Sequence, residues 1–469
     1  MKFNLPTSLI RQYAVVITVN LGVVTTGMSL AWPSPVLVKL RNATETPLSR
    51  PITEDEGSWI VSGGLLISIF SVLLGGMLLD AIGRKNCFLL ICLPKFLIAM
   101  LLIFATEVWM LILGRVIMSV ADSFLFMVAP IYASEIASKE HRGSLGTFMQ
   151  IFSSLGIVLT LSLGPFLSYT AFNIVLASAI AASTVPVLCM PESPCHLYSK
   201  GRTEEALAVL LQIRESEAIA KQELQEYQDS NKKADKIDKK QLFRNRTFLK
   251  SLSLGFLLFI GGQIIGYNAI QFYLQTILES TNTSVKPEIA SVIIGVIQLL
   301  ASFCTPLFLT KFGRRPILIS SLSGVFFGML GLGTFFKLTE AGDEITGILN
   351  FLPIISLILV VYCYSAGIGS LTWLVTAEVF DGASRALGVS ITLMSSLVSM
   401  FVITKYFVFM TSALGPAVTY WFFSAMCVLV GTLIAIFLPE TKGKTFHEIQ
   451  RALGGESIQF KGKHDKERV

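Results

Sequence analysis

The chain has 469 residues, of which 53% are hydrophobic and only 14% are charged. In a soluble domain about a quarter of all residues are charged, so this composition excludes an ordinary water-soluble protein. The formal net charge of +6 does not indicate nucleic-acid binding, because the basic residues lie in short loops between long apolar stretches. We therefore interpret the chain as a membrane protein.

A hydrocarbon core about 30 Å thick is crossed by a helix of about 20 apolar residues. Backbone polar groups must be paired within each segment in lipid, so the sequence predicts an all-α membrane protein. The first apolar stretch is too long for the apolar core of a signal peptide, and we interpret it as span 1. We place twelve spans at residues 14–35, 57–79, 87–106, 110–134, 144–167, 169–190, 249–275, 288–310, 316–338, 350–376, 386–410 and 416–438.

The long polar segment after span 6 divides the chain into two six-helix halves. The predicted divisions are an N-terminal half (1–191), a cytosolic helical linker (192–247), a C-terminal half (248–439) and a cytosolic tail (440–469). Basic residues concentrate in the loops after spans 2, 4, 8 and 10, which by the positive-inside rule predicts a multi-pass cell-membrane protein with both termini cytosolic. The sequence leaves open whether this is the plasma membrane or an internal one.

Two glycosylation sequons fall in loops that this orientation places outside the cell. Asn42 begins the sequon Asn42-Ala43-Thr44, and Asn282 begins Asn282-Thr283-Ser284. Both asparagines are therefore predicted sites of N-glycosylation.

The loops carry a set of charged motifs that occurs once in each half. A set duplicated in the same order indicates parallel repeats, which are typical of two-half membrane transporters. The paired motifs are Gly83-Arg84-Lys85 with Gly313-Arg314-Arg315, Glu135…Arg142 with Glu378…Arg385, and Pro191-Glu192-Ser193 with Pro439-Glu440-Thr441.

Arginine forms planar, bidentate pairs with carboxylates. We therefore expect these charges to form ion pairs at the cytosolic helix ends, linking the two halves and locking that side when the outside is open. The alternative interpretation is that they only set topology and cap helices. The residues concerned are Arg84, Glu135, Arg142, Glu192, Arg314, Glu378, Arg385 and Glu440.

Together, the motifs resemble the sugar porter family of the major facilitator superfamily, and in particular its insect facilitated trehalose transporter-like branch. Further strings that carry the resemblance are Leu30-Ala31-Trp32-Pro33-Ser34-Pro35, Gly114-Arg115, Pro130-Ile131-Tyr132-Ala133-Ser134-Glu135, and Pro439-Glu440-Thr441-Lys442-Gly443-Lys444. The resemblance covers the whole chain. It implies a transporter that works by alternating access.

The resemblance also implies a sugar site between the halves. Amides both donate to and accept from hydroxyl groups, and an aromatic face covers the C–H surface of a sugar. Each amide has an alternative role in holding helices together. The implied contacts are Gln150, Gln263, Asn268, Gln298 and Trp373, with Tyr273 closing the outer side.

The chain departs from the family pattern in the pocket. Gly262 replaces the first of two paired glutamines, and span 10 lacks two prolines before Trp373, which predicts an altered bend in that helix. Ser396 and Met400 stand where the family has asparagines in span 11.

Residues 12–38 contain no carboxylate that could carry a proton in span 1. This favours a facilitative uniporter for a hexose or a disaccharide such as trehalose. A proton–sugar symporter remains an alternative because Asp122 lies within span 4, although Lys95 is a candidate structural partner for it. A non-transporting sugar sensor is a second alternative.

The sequence predicts neither an enzyme nor an ATP-driven pump. It contains no phosphate-binding Walker loop and no HExxH or GxSxG string. We expect no cofactor and no metal site. The predicted partners are a small sugar and the lipid bilayer, with no nucleic acid, and we expect a functional monomer.

Overall fold

The computed structural model describes residues 7–138, 141, 145, 148–234, 243–281, 283–342, 347–380, 385–444, 448–449 and 451. The helices of the N-terminal half are α1 (Thr7–Ala31), α2 (Pro33–Arg41), α3 (Glu54–Ile82), α4 (Arg84–Ile103), α5 (Val108–Ile136), α6 (Phe148–Leu163) and α7 (Tyr169–Leu188). The polar segment contains α8 (Pro194–Ser199), α9 (Thr203–Ile213) and α10 (Glu217–Ala234).

The C-terminal half repeats the arrangement. Its helices are α11 (Arg246–Ile264), α12 (Tyr267–Ser280), α13 (Pro287–Lys311), α14 (Arg314–Ala341), α15 (Leu352–Ala366), α16 (Ile368–Val379), α17 (Arg385–Leu414) and α18 (Pro416–Phe437), with a 3-10 turn, Gly347–Phe351, before α15. Within the described residues, eleven spans are long and apolar enough to cross a membrane, and α6 is a shorter apolar helix. The predicted helical membrane fold is confirmed.

Spans 1, 7 and 10 are each broken into two helices. Span 1 breaks at Trp32, before Pro33, and span 7 breaks at Gly266, whose φ of 81° lies in the left-handed region that favours glycine. Span 10 breaks at Gly367, although the family's two prolines are absent. The loss of these prolines, which predicted an altered bend, therefore does not remove the break in span 10.

A side chain from a neighbouring helix supports the break in span 10. The Ser321 hydroxyl on α14 donates to the carbonyl of Cys363 at 2.7 Å and accepts from the N–H of Ile368 at 3.0 Å. A Cβ atom at Gly367 would collide with this serine. The break is thus maintained without proline. The serine hydroxyl pairs backbone groups that the interrupted helix leaves free, and the glycine leaves room for the serine.

The linker helices pack on the N-terminal half. Gln12 Nε2 on α1 donates to the carbonyl of Ile213 at 2.7 Å. Arg214, after α9, donates to the carbonyl of Ile136 at 2.7 Å and forms an ion pair with Glu223 at 2.6 Å. The end of the bundle that carries Arg84 and Arg314 is called the motif end below, and the opposite end is called the distal end.

The halves meet mainly through three helix pairs, α2 with α12, α3 with α17, and α6 with α13, and α1 also touches α12. The N–H of Gln275 donates to the Ser34 hydroxyl at 3.0 Å, and the hydroxyls of Ser154 and Ser302 lie 2.6 Å apart. One hydrophobic cluster includes buried side chains from both halves. These contacts run from the middle of the bundle to the distal end, so the halves are closed together there.

A buried ion pair joins spans 1, 3 and 4 inside the N-terminal half. Lys95 Nζ on α4 lies 2.7 Å from Asp122 Oδ1 on α5. The same ammonium donates to the hydroxyls of Thr25 and Thr26 on α1 at 2.9 and 3.3 Å. The proposed pairing of Asp122 with Lys95 is therefore present, and two threonine hydroxyls also bind the ammonium.

Lys95→Met should destabilise the protein by about 3–5 kcal/mol, because it leaves Asp122 with no partner at membrane depth. The double variant with Asp122→Leu should recover most of the loss, since an apolar pair of similar volume replaces the charges. Thermal unfolding in detergent micelles measures both effects. Lys337→Met is the control, because its ion pair with Glu340 is exposed at the distal end. Equal midpoints for Lys95→Met and the parent would contradict the assignment.

Candidate substrate site and charged end clusters

Three polar side chains meet at the break in span 7. Gln263 lies in the last turn of α11, and Asn268 lies in the first turn of α12. Asn268 Nδ2 donates to Gln263 Oε1 at 2.5 Å, and Gln263 Nε2 donates to the Ser396 hydroxyl on α17 at 2.9 Å. The broken helix thus presents a linked amide pair at mid-membrane. The amide nitrogen of Gln263 also binds a third helix, α17.

Gln150 and Gln298 face the seam between the halves. Gln150 lies four residues before Ser154, and Gln298 lies four residues before Ser302, so each shares a helix face with the serine contact. Gln298 is buried, and its Oε1 has no hydrogen-bond partner among the described residues. The two amides therefore do not point towards lipid.

The two aromatic candidates differ in exposure. Trp373 on α16 has 40% of its surface exposed and touches the ring of Phe259 edge-on, with centroids 5.2 Å apart. Tyr273 is buried on the distal side of Asn268 and stacks on Phe407 at 5.3 Å. Within the described part of the chain its hydroxyl has no hydrogen-bond partner. Trp373 is therefore partly exposed, whereas Tyr273 is enclosed.

Open space lies beside Gly262. A Cβ atom built there would have no heavy atom within 4 Å, whereas one at Gly261 would meet Val430. Gly262 is thus the glycine of this pair that borders open space, one residue before Gln263. The missing side chain at Gly262 enlarges the space around the amide pair.

A carboxylate cluster holds the motif end of the N-terminal half. Arg84 Nη2 lies 2.8 Å from Glu135 Oε1, and the Ser193 hydroxyl donates to the other oxygen of Glu135. Glu192 Oε1 accepts from the backbone N–H groups of Arg84 at 2.8 Å and Lys85 at 3.2 Å. Glu192 therefore caps the first turn of α4, where a negative charge is favourable.

The C-terminal half repeats the main contacts of this cluster. Arg314 Nη2 lies 3.1 Å from Glu378 Oε1, and the Thr441 hydroxyl donates to Glu378 Oε2 at 2.6 Å. Glu440 accepts from the backbone N–H groups of Arg314 at 2.8 Å and Arg315 at 3.2 Å, and so caps α14. The duplicated sequence motif is thus a duplicated structure.

The glycine of each motif makes room for the capping carboxylate. A Cβ atom at Gly83 would collide with Glu192, and one at Gly313 would collide with Glu440. Gly83 also has a φ of 93°, which favours glycine. The Gly-Arg pair therefore serves two purposes, since the glycine admits the cap and the arginine binds the second glutamate.

The Glu440 carboxyl is held in its ionised form. Partial burial acts to raise its pKa, but hydrogen bonds from backbone N–H groups outweigh burial and hold the pKa below its usual value. The donors are Lys442, Arg314, Arg315 and Thr441. The cap on α14 therefore persists at neutral pH.

The expectation that these ion pairs link the two halves is not met in this conformation. Arg84–Glu135 and Arg314–Glu378 each lie inside one half. Arg142 lies outside the described residues, and Arg385 begins α17 without a described side chain. The ion pairs that the structure describes at the motif end therefore hold each half together.

Arg115 has neutral partners. Its guanidinium donates to the carbonyl of Ser29 at 2.9 Å and to the Ser29 hydroxyl at 3.2 Å, and it lies over the Trp32 ring at 5.3 Å. Trp32 in turn donates to Asn173 Oδ1 at 2.9 Å. Carbonyl, hydroxyl and indole groups thus contact this arginine.

The distal loop presents one of the two sequons. Asn42 ends α2 at the exposed distal end, and the Thr44 hydroxyl donates to Asn42 Oδ1 at 2.8 Å. Asn282 lies outside the described residues.

Some contacts were missed by the sequence analysis. Ser396 was aligned with a lost asparagine but belongs to the amide cluster. Ser193 and Thr441 bind the motif glutamates Glu135 and Glu378. The equivalent positions of these two residues in the repeated Pro-Glu-Ser/Thr strings could have indicated this role. Lys405, a charged residue within span 11 for which the sequence offered no partner, pairs with Asp55 across the halves.

Comparison with known proteins agrees with this architecture. The family model described as "Sugar (and other) transporter" matches residues 15–453. The facilitated trehalose transporter Tret1 of Polypedilum vanderplanki is 29% identical over 456 residues, covering 96% of this chain and 89% of that protein. The Anopheles gambiae Tret1 is 30% identical over 455 residues, covering 95% of this chain and 56% of that protein, so the chain spans about half of that relative.

Solved structures share the fold. The inward-open xylose transporter XylE from E. coli superposes with a TM-score of 0.78 at 21% identity, covering 94% of this chain and 99% of that one. The proton:xylose symporter XylE bound to 6-bromo-6-deoxy-D-glucose gives 0.76 at 22% identity, covering 95% and 99%. With a family match that spans nearly the whole sequence, the chain belongs to the sugar transporter family and is a membrane transporter, not an enzyme.

Proposed function

We propose that this protein is a facilitative sugar transporter that works by alternating access as a functional monomer. The observation that carries the proposal is the linked amide pair of Gln263 and Asn268 at the break in span 7, beside the open space at Gly262. Gln150, Gln298 and Trp373 complete the wall that meets the sugar. Amides that donate and accept suit a solute whose surface is mostly hydroxyl groups.

The solute enters and leaves as the halves rock about this site. The described contacts close the distal end, which supports a resting state open towards the motif end. In the proposed orientation the motif end and both termini face the cytosol of the cell membrane, and Asn42 is glycosylated on the outer face. The abundance of arginine and lysine in the motif-end loops supports this orientation.

The charged clusters serve the cycle as stiff ends for each half. Arg84, Glu135, Arg314 and Glu378 hold helix ends together, so each half moves as one body. In the opposite state the distal end is open and the motif ends of the two halves meet. The charged residues there then form ion pairs between the halves, and Arg142 and Arg385 take part. The support for this role is the equivalence of the two clusters.

Passive transport is favoured over proton coupling. Arg115 is bound by the neutral Ser29, and the nearest intramembrane carboxylate, Asp122, forms an ion pair with the buried Lys95. A proton-carrying carboxylate has to exchange its proton during the cycle, whereas Asp122 is held by a partner within one half.

The open space at Gly262 favours a disaccharide over a hexose. Two matched relatives are named as trehalose transporters, and the absent side chain adds volume where a second sugar ring needs it. Tyr273 then closes the distal side of the site over the bound sugar.

Reconstituted full-length protein should exchange labelled trehalose in counterflow, and a protonophore should leave the exchange rate unchanged. A symporter would instead show proton-driven accumulation that the protonophore abolishes. A sugar sensor on the same scaffold would bind the label without moving it, as the departures at Gly262 and Met400 would allow. Either result would overturn the proposal.

Gln263→Ala should weaken sugar affinity about three- to tenfold for each hydrogen bond lost to the sugar. The thermal midpoint in detergent reports whether the fold survives the loss of the bonds to Asn268 and Ser396. The matched control is Gln222→Ala on the exposed face of α10, which should change neither value. Unchanged sugar affinity in Gln263→Ala would remove this residue from the site.

Gly262→Leu should fill the open space and reduce disaccharide affinity about tenfold, equal to ~1.4 kcal/mol. Hexose affinity should fall less, because a single ring does not need that volume. Gly76→Leu is the control, since Gly76 also lies in a helix with nothing near a built Cβ atom but on an exposed face. Equal losses for both sugars would contradict the assigned role in size selection.

A further inference from the structure

One lysine of the C-terminal half is bound by three residues of the N-terminal half. Lys405 Nζ on α17 lies 2.6 Å from Asp55 Oδ1 and 2.7 Å from the Ser58 hydroxyl, both on α3. The same ammonium lies 4.1 Å from the centre of the Trp59 ring. A carboxylate, a hydroxyl and an indole face thus bind one cation across the boundary between the halves.

Side-chain packing reinforces the site. Trp59 also packs against the ring of Phe401 on α17, at 6.3 Å, one helical turn before Lys405. The lysine side chain is 14% exposed, whereas Asp55 is 77% exposed. Lys405 therefore buries its stem in the seam and brings its charge to the rim, where one partner remains in contact with the surroundings.

Among the described residues, the other ion pairs near the distal end do not cross between the halves. Arg50 pairs with Glu56 inside the N-terminal half, and Lys337 pairs with Glu340 inside α14. Neither pair has to break when the halves move apart. Lys405–Asp55 does have to break, because α3 and α17 separate at this end when it opens.

We propose that Lys405 is a conformational latch for the transport cycle, engaged with Asp55, Ser58 and Trp59 only while the distal end is closed. The proposal rests on the alternating-access function proposed above. An interaction made in one of two states shifts the equilibrium towards that state. The latch biases the empty transporter towards the conformation open at the motif end, and so lowers the apparent affinity for sugar arriving from the distal face.

The direct test is the accessibility of a buried distal residue. Ser34 is fully buried at the contact between α2 and α12, so Ser34→Cys, a nearly isosteric change, reports opening of this end. The full-length chain is placed in lipid nanodiscs and treated with a maleimide, and peptide mass spectrometry follows labelling at position 34. Lys405→Ala in this background should raise the labelling rate about fivefold.

Asp55→Ala should raise the rate by a smaller factor, because Ser58 and Trp59 still bind the ammonium. This variant also guards against misfolding of Lys405→Ala, since Asp55 is mostly exposed. The charge swap Asp55→Lys with Lys405→Asp should return the rate towards that of the parent. Arg50→Ala, which removes an ion pair within one half, should leave it unchanged.

Parental labelling rates in both Lys405→Ala and Asp55→Ala would overturn the latch. The readout needs no sugar, so it is independent of the proposed transport activity. A chain that fails in counterflow but still shows the labelling increase would retain the latch and lose the function. Normal counterflow with parental labelling rates in both variants would support the transport function and overturn the latch.

Discussion

Pairing of the backbone inside the bilayer is the constraint on which the rest of this structure depends. At membrane depth a free N–H or C=O group is costly, so a broken helix persists only where other groups take up its polar atoms. At Gly367 the Ser321 hydroxyl does this by bonding to both sides of the break. At Gly266 the break is placed between Gln263 and Asn268, whose amides bind each other across it. The interruption that the membrane penalises is therefore also the feature that gathers hydrogen-bonding groups at the centre of the molecule.

Charged side chains also need partners inside the molecule, and they divide into two classes according to whether the partner lies in the same half or in the other half. The motif glutamates Glu192 and Glu440 bind helix N-termini, and their partners belong to the same half, so rocking of the halves leaves them intact. Lys95 and Asp122 are likewise internal to one half. Lys405 differs because its partners belong to the other half. A charge bound within a half contributes to rigidity, and a charge bound between halves contributes to the balance of conformations.

The sequence predicted the apolar spans because their length and hydropathy are decided by the bilayer alone. It also identified Lys95 as a candidate partner of Asp122, since two opposite charges in lipid have few alternatives. It left open whether Glu192 would bind an arginine side chain or cap a helix, because both kinds of donor are available at a helix end. The break at Gly367 was masked by the absence of proline, and only the tertiary position of Ser321 explains it. The ion pairs were expected to join the halves, but which half supplies a partner depends on the conformation and not on the local sequence.

The strength of each contact fits its place in the cycle. Breaking a buried pair such as Lys95–Asp122 costs about 3–5 kcal/mol, which would slow a transporter severely if it had to occur in every cycle. The Asp55 carboxylate is 77% exposed, so its bond to Lys405 resembles a surface ion pair, worth up to about 1 kcal/mol. The contact of the ammonium with Trp59 adds a term of similar size, about 0.5–1 kcal/mol. A sum on the order of 1–2 kcal/mol shifts a two-state population by about tenfold. That is enough to set a resting state, and small enough for the binding of a sugar to reverse it.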